Sequence, residues 1–194
     1  MNTLFPIFVK IEQLQLLIVG GGYVGLEKLT AVLANAPAAP VTLVAPDIRA
    51  EIHELAMQHP SVTLVEALYN PDFLVGNDLV IVGTNDKAVN RQIQADCKAR
   101  KILVNVADTP ALCDFYLSSV VKKGDLKIAI STNGKSPTFA KRFREVLESI
   151  LPDNLQETLD NLTAIRQQLT GDFAAKMDKL NEITRVLKSE RVGK

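Results

Sequence analysis

Gly20-Gly21-Gly22-Tyr23-Val24-Gly25 constrains this chain more than any other feature. It is a complete G-x-G-x-x-G that follows an apolar run, Leu14 to Val19. It opens a segment, Tyr23 to Asn35, in which Val24, Leu29, Val32 and Leu33 recur at helical spacing. A glycine-rich turn between a buried strand and a helix is the phosphate-binding corner of a dinucleotide-binding βαβ unit. Gly20 permits the tight turn, Gly22 lets the backbone approach a pyrophosphate, and Gly25 lets helix and strand pack closely. The phosphates then meet unpaired N–H groups at the positive end of the helix dipole. The alternative is a glycine-rich turn that binds nothing, and both context and spacing argue against it.

The rest of the chain extends the same pattern. Pro37 and Pro40 close the first helix. Val41 to Ala45, Val62 to Val65, Asp78 to Val82 and Ile102 to Asn105 read as further strands, with helices over Asp47 to Gln58 and Asp86 to Arg100. Alternating strands and helices call for an α/β fold, a Rossmann-type parallel sheet with right-handed crossovers. After Asp108 the pattern changes. Phe115 to Val121 and Leu126 to Ile130 flank Lys123-Gly124-Asp125, the spacing of an antiparallel hairpin. Phe139 to Leu151 then repeats apolar residues at Phe139, Phe143, Val146, Leu147 and Ile150. Leu155 to Leu169 and Phe173 to Leu187, separated by Gly171, are further amphipathic helices. Such helices need a partner surface, either a second chain or the chain's own sheet.

Composition narrows the classes of partner. Hydrophobic residues make up 47% and charged residues 23% of the 194 residues, which excludes disorder across the whole chain. A formal net charge of +0 argues against a general affinity for nucleic acid or an anionic membrane. No apolar run approaches the roughly 18 residues of a membrane span. The start of the chain, MNTLFPIFVK, lacks the charged head and long apolar run of a signal peptide. Cys97 and Cys113 lie too far apart for a CxxC motif and read as free thiols in a reducing compartment. A cytoplasmic protein is expected.

Several residues are placed for chemistry. The acidic residue that binds the adenosine ribose comes about 20 residues after the glycine turn. Here the second strand runs into Ala45-Pro46-Asp47, so Asp47 takes that position and NAD is expected over NADP, although Arg49 follows closely. Thr84-Asn85-Asp86 leaves the fourth strand where ligands of open α/β sheets lie; Thr84 and Asn85 can touch the nicotinamide side, or Asn85 or Asp86 can simply cap the next helix. Asp108 leaves the fifth strand at the same edge, as a general base beside the nicotinamide or as a turn residue before Thr109-Pro110. Ser131-Thr132-Asn133-Gly134-Lys135-Ser136-Pro137 can bind anions, and Ser136 can cap the helix that Pro137 begins. Lys122, Lys123, Lys127, Lys135, Lys141, Arg142 and Arg144 cluster around Asp125, either for a polyanionic ligand or as a solvated face. His53 and His59 do not have metal-ligand spacing, and no metal site is fixed by the sequence. Cys113 is expected to be a small buried filler near the site.

Taken in order, these motifs resemble one family. They are Phe5-Pro6-Ile7-Phe8, the glycine turn with Lys28, Thr84-Asn85-Asp86, Asn105-Val106-Ala107-Asp108 and Ser131 to Pro137. From about Leu4 to Leu151 the chain resembles precorrin-2 dehydrogenase, the NAD-dependent part of siroheme synthase. The resemblance implies oxidation of precorrin-2 to sirohydrochlorin with hydride passing to NAD⁺, followed in some members by insertion of Fe²⁺ to give siroheme. It implies that Asp108 is the family's key aspartate, in proton transfer and in metal insertion. It implies cofactor contacts from Tyr23, Val24, Pro46 and Asp47, beside Gly20, Gly22, Gly25, Thr84 and Asn85. The polycarboxylate tetrapyrrole would meet Ser131, Lys135, Ser136, Lys141 and Arg142. The family is homodimeric through its hairpin and tail helices.

The expected division is then a Rossmann domain over 1–112, a dimerisation segment of hairpin and helix over 113–150, and a helical tail over 151–194. The methyltransferase region of larger siroheme synthases is not among these residues, so that activity is expected elsewhere. The short tail leaves chelation open. A serine phosphorylated in one branch of the family aligns with Thr132 here, so that regulation is not carried over. The rival class is a nucleotide or redox sensor, or a tetrapyrrole-binding module, without turnover.

Overall fold

The computed structural model describes residues 2–169 and 173–184. The chain divides into two units, Met1–Leu117 and Ser118–Lys194.

The first unit is built on strands β1 (Leu16–Val19), β2 (Val41–Ala45), β3 (Val62–Glu66), β4 (Leu79–Val82) and β5 (Leu103–Val106). They form one sheet in the order β3-β2-β1-β4-β5, with every pairing parallel. Helices α1 (Tyr23–Asn35), α2 (Ala50–Gln58) and α3 (Lys87–Arg100) are the crossovers. The sequence of β1 explains its central place. Leu16 and Ile18 point into one core with Leu29, Val32 and Leu33 of α1 and Ile52 of α2. Leu17 and Val19 point into a second core with Ile93 and Cys97 of α3. A strand covered on both faces needs an unbroken apolar run rather than an alternating one. Because all strands are parallel, their carboxyl ends share one edge, and the order in which strands are added reverses between β1 and β4. That edge, at that reversal, is where open α/β sheets bind ligands.

The second unit pairs β6 (Ser119–Lys123) with β7 (Leu126–Ile130) as an antiparallel hairpin. Gly124, at φ +58, makes its turn. Helix α4 (Pro137–Ile150) packs on β6, and α5 (Leu155–Gln168) and α6 (Phe173–Thr184) follow. Asp153, just before α5, pairs with Lys123 at 2.6 Å, and the Gln156 side chain accepts the Asp125 N–H at 2.7 Å. Phe139, Phe143, Val146 and Ile150 of α4 are exposed. No helix among the described residues is long and apolar enough to cross a membrane.

Several boundaries differ from those the sequence predicts. The second helix starts at Ala50 rather than Asp47, because Asp47 to Arg49 form a bend over the glycine turn, where the Arg49 N–H donates to the Gly21 carbonyl at 3.1 Å. The fifth strand runs one residue later than expected, over Leu103–Val106. The first hairpin strand begins at Ser119 rather than Phe115, whose carbonyl instead accepts from buried Asn105 at 2.8 Å. The first tail helix begins at Pro137 with Ser136 as its cap, as the sequence predicts. Gly171 and the expected last turn to Leu187 lie outside the described residues.

Candidate dinucleotide site

The glycine turn is shaped by backbone contacts. Gly20, at φ +128, donates its N–H to the Val44 carbonyl at 2.9 Å, tying the turn to β2. A side chain there would be strained, and its Cβ would lie 2.7 Å from the Gly83 carbonyl oxygen. A Cβ on Gly21 would meet the Asp47 carbonyl, and one on Gly25 would meet the Gly20 carbonyl. Gly22 is the exception, with nothing within 4 Å of its Cβ position. It is also the N-cap of α1, and no side chain caps that helix. By contrast Asp86 caps α3 through the Ala88 and Val89 N–H groups, and Ser136 caps α4 through that of Phe139. An uncapped helix start beside open space suits an anion.

That space is a cavity of about 780 Å³ at the carboxyl edge of β1, β2 and β4. Of the expected cofactor residues, Gly20, Gly22, Tyr23, Val24, Pro46, Asp47, Thr84 and Asn85 line it. Gly25 does not; it lies beneath the turn, where its missing side chain lets α1 approach Gly20. Asp47 stands at the end of β2, the place of a ribose-binding carboxylate. Helix capping falls to Asp86, not Asn85. The residues present therefore fit a dinucleotide.

Other lining residues carried no signal that the sequence reading used. Leu68 and Tyr69 follow β3, while Val89 and Gln92 sit three apart on α3. The Tyr69 hydroxyl donates to Asp96 at 3.0 Å, and burial, reinforced by that carboxylate, raises its pKa. An aromatic just past a strand's carboxyl end was the available clue. Asn90 was missed too: it is buried, accepts the Thr84 hydroxyl and donates to the Thr84 carbonyl at 3.1 Å, fixing the loop after β4.

Asp108 is exposed, two residues past the end of β5, and is not among the residues lining the cavity. Its φ of +55 is left-handed, a conformation that Asp tolerates better than most residues. Its neighbours hold it there: Ala107 donates to the Val82 carbonyl at 2.9 Å and Thr109 to that of Val106 at 3.2 Å. An over-determined, left-handed residue at a ligand edge is the kind of strain that accompanies function. Cys113 is half-buried below it, and its thiol donates to the Val106 carbonyl at 3.1 Å, with burial raising its pKa.

In the second unit, Ser131 accepts the Asn133 N–H, Thr132 that of Ser136, and Ser136 that of Phe139. The hydroxyl oxygens thus shape their own loop as acceptors. Lys135 and Lys141 are exposed. Part of the basic run is internally balanced: Lys123 pairs with Asp153, Arg142 with Glu145 at 2.9 Å, and Arg144 with Glu148 at 3.8 Å. Those acids lie beyond the stretch in which Asp125 stood alone. His53 faces Glu66 at 3.7 Å, and no group of three His, Cys, Asp or Glu suited to a metal occurs among the described residues.

Sheet order, glycine turn and cavity together define a dinucleotide-binding Rossmann protein. Comparison with known proteins carries this further. The family described as "Putative NAD(P)-binding" matches residues 7–119, and the one described as "Sirohaem biosynthesis protein central" matches residues 123–150. The chain belongs to the "Putative NAD(P)-binding" family. It is 38% identical, over its whole length, to a siroheme synthase of Psychrobacter sp. (strain PRwf-1), and spans 42% of that protein. A siroheme synthase of Nitrosomonas europaea is 35% identical over 87% of the chain, which covers 35% of it. Among solved structures, "SirC, precorrin-2 dehydrogenase" matches with a TM-score of 0.72 and 27% identity, covering 93% of this chain and 89% of that one.

Proposed function

We propose that this chain is an NAD-dependent precorrin-2 dehydrogenase that oxidises precorrin-2 to sirohydrochlorin in siroheme biosynthesis. The observation that carries this reading is the uncapped glycine turn over its cavity, with exposed Asp108 on the same sheet edge. NAD⁺, when bound, supplies the hydride acceptor. Gly22 and the first N–H groups of α1 hold the pyrophosphate, and Asp47 binds the adenosine ribose. Thr84, held by Asn90, and Asn85 position the nicotinamide side. The substrate loses a hydride and a proton, and the Asp108 carboxylate takes the proton. Ser131, Lys135, Ser136, Lys141 and Arg142 bind the substrate's carboxylates. The Arg142–Glu145 pair does not forbid that role: with the Arg142 side chain 75% exposed, such a pair contributes only about 0–1 kcal/mol.

The working form is a homodimer, in which a second copy covers the apolar stripe left exposed on α4. Fe²⁺ enters as a substrate after dehydrogenation, with Asp108 assisting its insertion. The cytoplasm suits its two unpaired thiols, Cys97 and Cys113.

The test is an anaerobic assay with precorrin-2 and NAD⁺, following NADH absorbance and the tetrapyrrole spectrum, with Fe²⁺ added after the first change ends. NADH is expected to form, and Asp108→Ala to slow it by about 10²–10⁴-fold, the usual contribution of a general base. A spectral change on adding Fe²⁺ beyond the protein-free control supports chelation. NAD⁺ binding without any NADH moves the sensor or carrier reading to the front.

A further inference from the structure

Arg49 and Glu51 stand beside the adenosine end of the cavity without lining it. The Arg49 N–H is bonded to the Gly21 carbonyl, and its guanidinium carbon lies 3.7 Å above the centre of the Tyr23 ring. Gly21 and Tyr23 both line the cavity, as does Asp47, two residues before Arg49. One guanidinium nitrogen is held by the Glu51 carboxylate, the first-turn acid of α2. The Arg49 Nε is buried and has no hydrogen-bond partner among the described residues, so its donors are not all used.

Charge along the cavity wall is one-sided, with Asp47 at this end. The described lining residues include Asp47 and Asp86 but no Lys, Arg or His. A ribose with free hydroxyls meets a carboxylate that can accept from it. A ribose 2′-phosphate meets repulsion from Asp47 unless a cation turns toward it, and an arginine near the end of the second strand is how NADP is accommodated in such sites. Arg49 is that cation here, and Glu51 occupies it.

We propose that the Arg49–Glu51 pair sets the choice of dinucleotide: Glu51 holds Arg49 on the Tyr23 ring and withholds it from a 2′-phosphate. Selection for NAD then rests on two elements, a carboxylate that accepts the ribose hydroxyls and a cation kept neutralised against the competitor. This rests on the dinucleotide reading of the cavity, and extends it from binding to discrimination.

The experiment is isothermal titration of the full chain with NAD⁺ and with NADP⁺, for the wild type, Glu51→Gln, Arg49→Gln and the double variant. Wild type is expected to prefer NAD⁺. Glu51→Gln should leave NAD⁺ affinity within about twofold and tighten NADP⁺ about tenfold, the effect of one charge-assisted hydrogen bond. Arg49→Gln alone should leave NADP⁺ affinity unchanged, and the double variant should lose the gain. An unchanged preference in Glu51→Gln overturns the proposal. So does a gain that survives in the double variant, because removal of a negative charge would then suffice. Loss of NADP⁺ affinity in Arg49→Gln overturns it as well, since Arg49 would already serve the phosphate. If wild type binds neither dinucleotide, the cofactor reading itself fails, and that is known before any variant is made.

Discussion

Gly22 and Gly25 belong to one motif, yet the structure gives them opposite physical roles, and alanine at each separates those roles. Gly22 has φ −86 and ψ −162, extended backbone open to any residue, and its Cβ position is empty to 4 Å. Alanine there should change the stability of the fold by no more than about 1 kcal/mol, because restriction of the unfolded chain and the poorer capping by alanine oppose each other. For a chain of this size that is a shift in Tm of at most about 4 °C. The methyl group would stand where the pyrophosphate approaches. Loss of one charge-assisted hydrogen bond there should weaken NAD⁺ binding about tenfold or more. Gly25 is different, since its Cβ would overlap the Gly20 carbonyl oxygen. Backbone faces backbone, so no side chain can swing aside. Overpacking should cost about 1–3 kcal/mol, a fall in Tm of roughly 2–12 °C. Differential scanning calorimetry beside titration with NAD⁺ reads both quantities. The reasoning is refuted if Gly22→Ala melts as low as Gly25→Ala, or binds NAD⁺ as tightly as wild type.

Asn90→Ala should destabilise the first unit by about 1–3 kcal/mol in urea titration and weaken NAD⁺ binding, because it strips the loop at Thr84 of a buried partner; an unchanged urea midpoint would show that the loop holds itself. Ser136→Ala should cost about 0.5–2 kcal/mol and Ser136→Asp should restore most of it, as read by the helical circular dichroism signal during melting, since the residue caps α4. Burial pushes the Cys97 thiol up to about 12, so the folded state favours the protonated form. The stability tied to that proton is complete below the ordinary thiol range and is lost as pH rises toward about 12. Cys97→Ala should flatten the alkaline fall in urea midpoint, and parallel falls in the two proteins would count against this cause.

Much of the fold was legible because it depends on periodicity and on unbroken apolar runs. Leu14 to Val19 reads as a buried parallel strand, and the two cores of the sheet divide Leu16 to Val19 alternately. What periodicity could not supply was local hydrogen bonding at the ends of elements. Asp47 to Arg49 have helical neighbours, yet the glycine turn draws Arg49 into a bend. Phe115 has strand character, yet its carbonyl serves Asn105. In both places a partner distant in sequence decides the backbone, and no window around the residue contains it.

The site divides along a similar line. The corner proposed for the phosphates is made of backbone, and backbone shape is written in glycines, so the turn at Gly20, Gly22 and Gly25 stood out in the sequence. Its walls are side chains brought from separate strand ends, and Tyr69, Gln92 and Asn90 carry no spacing that marks them. Asp108 falls between these cases. Sequence placed it at the right edge and left open whether it serves chemistry or a turn. The structure shows the turn, a left-handed residue whose carboxylate is exposed. Glycine would fill the turn with less strain, since only the side chain makes φ +55 costly. A carboxylate retained where glycine fits better points to a use beyond the turn. Asp108→Gly should therefore hold or raise Tm while slowing turnover by about 10²–10⁴-fold, and a variant that keeps full turnover would reduce Asp108 to its structural role.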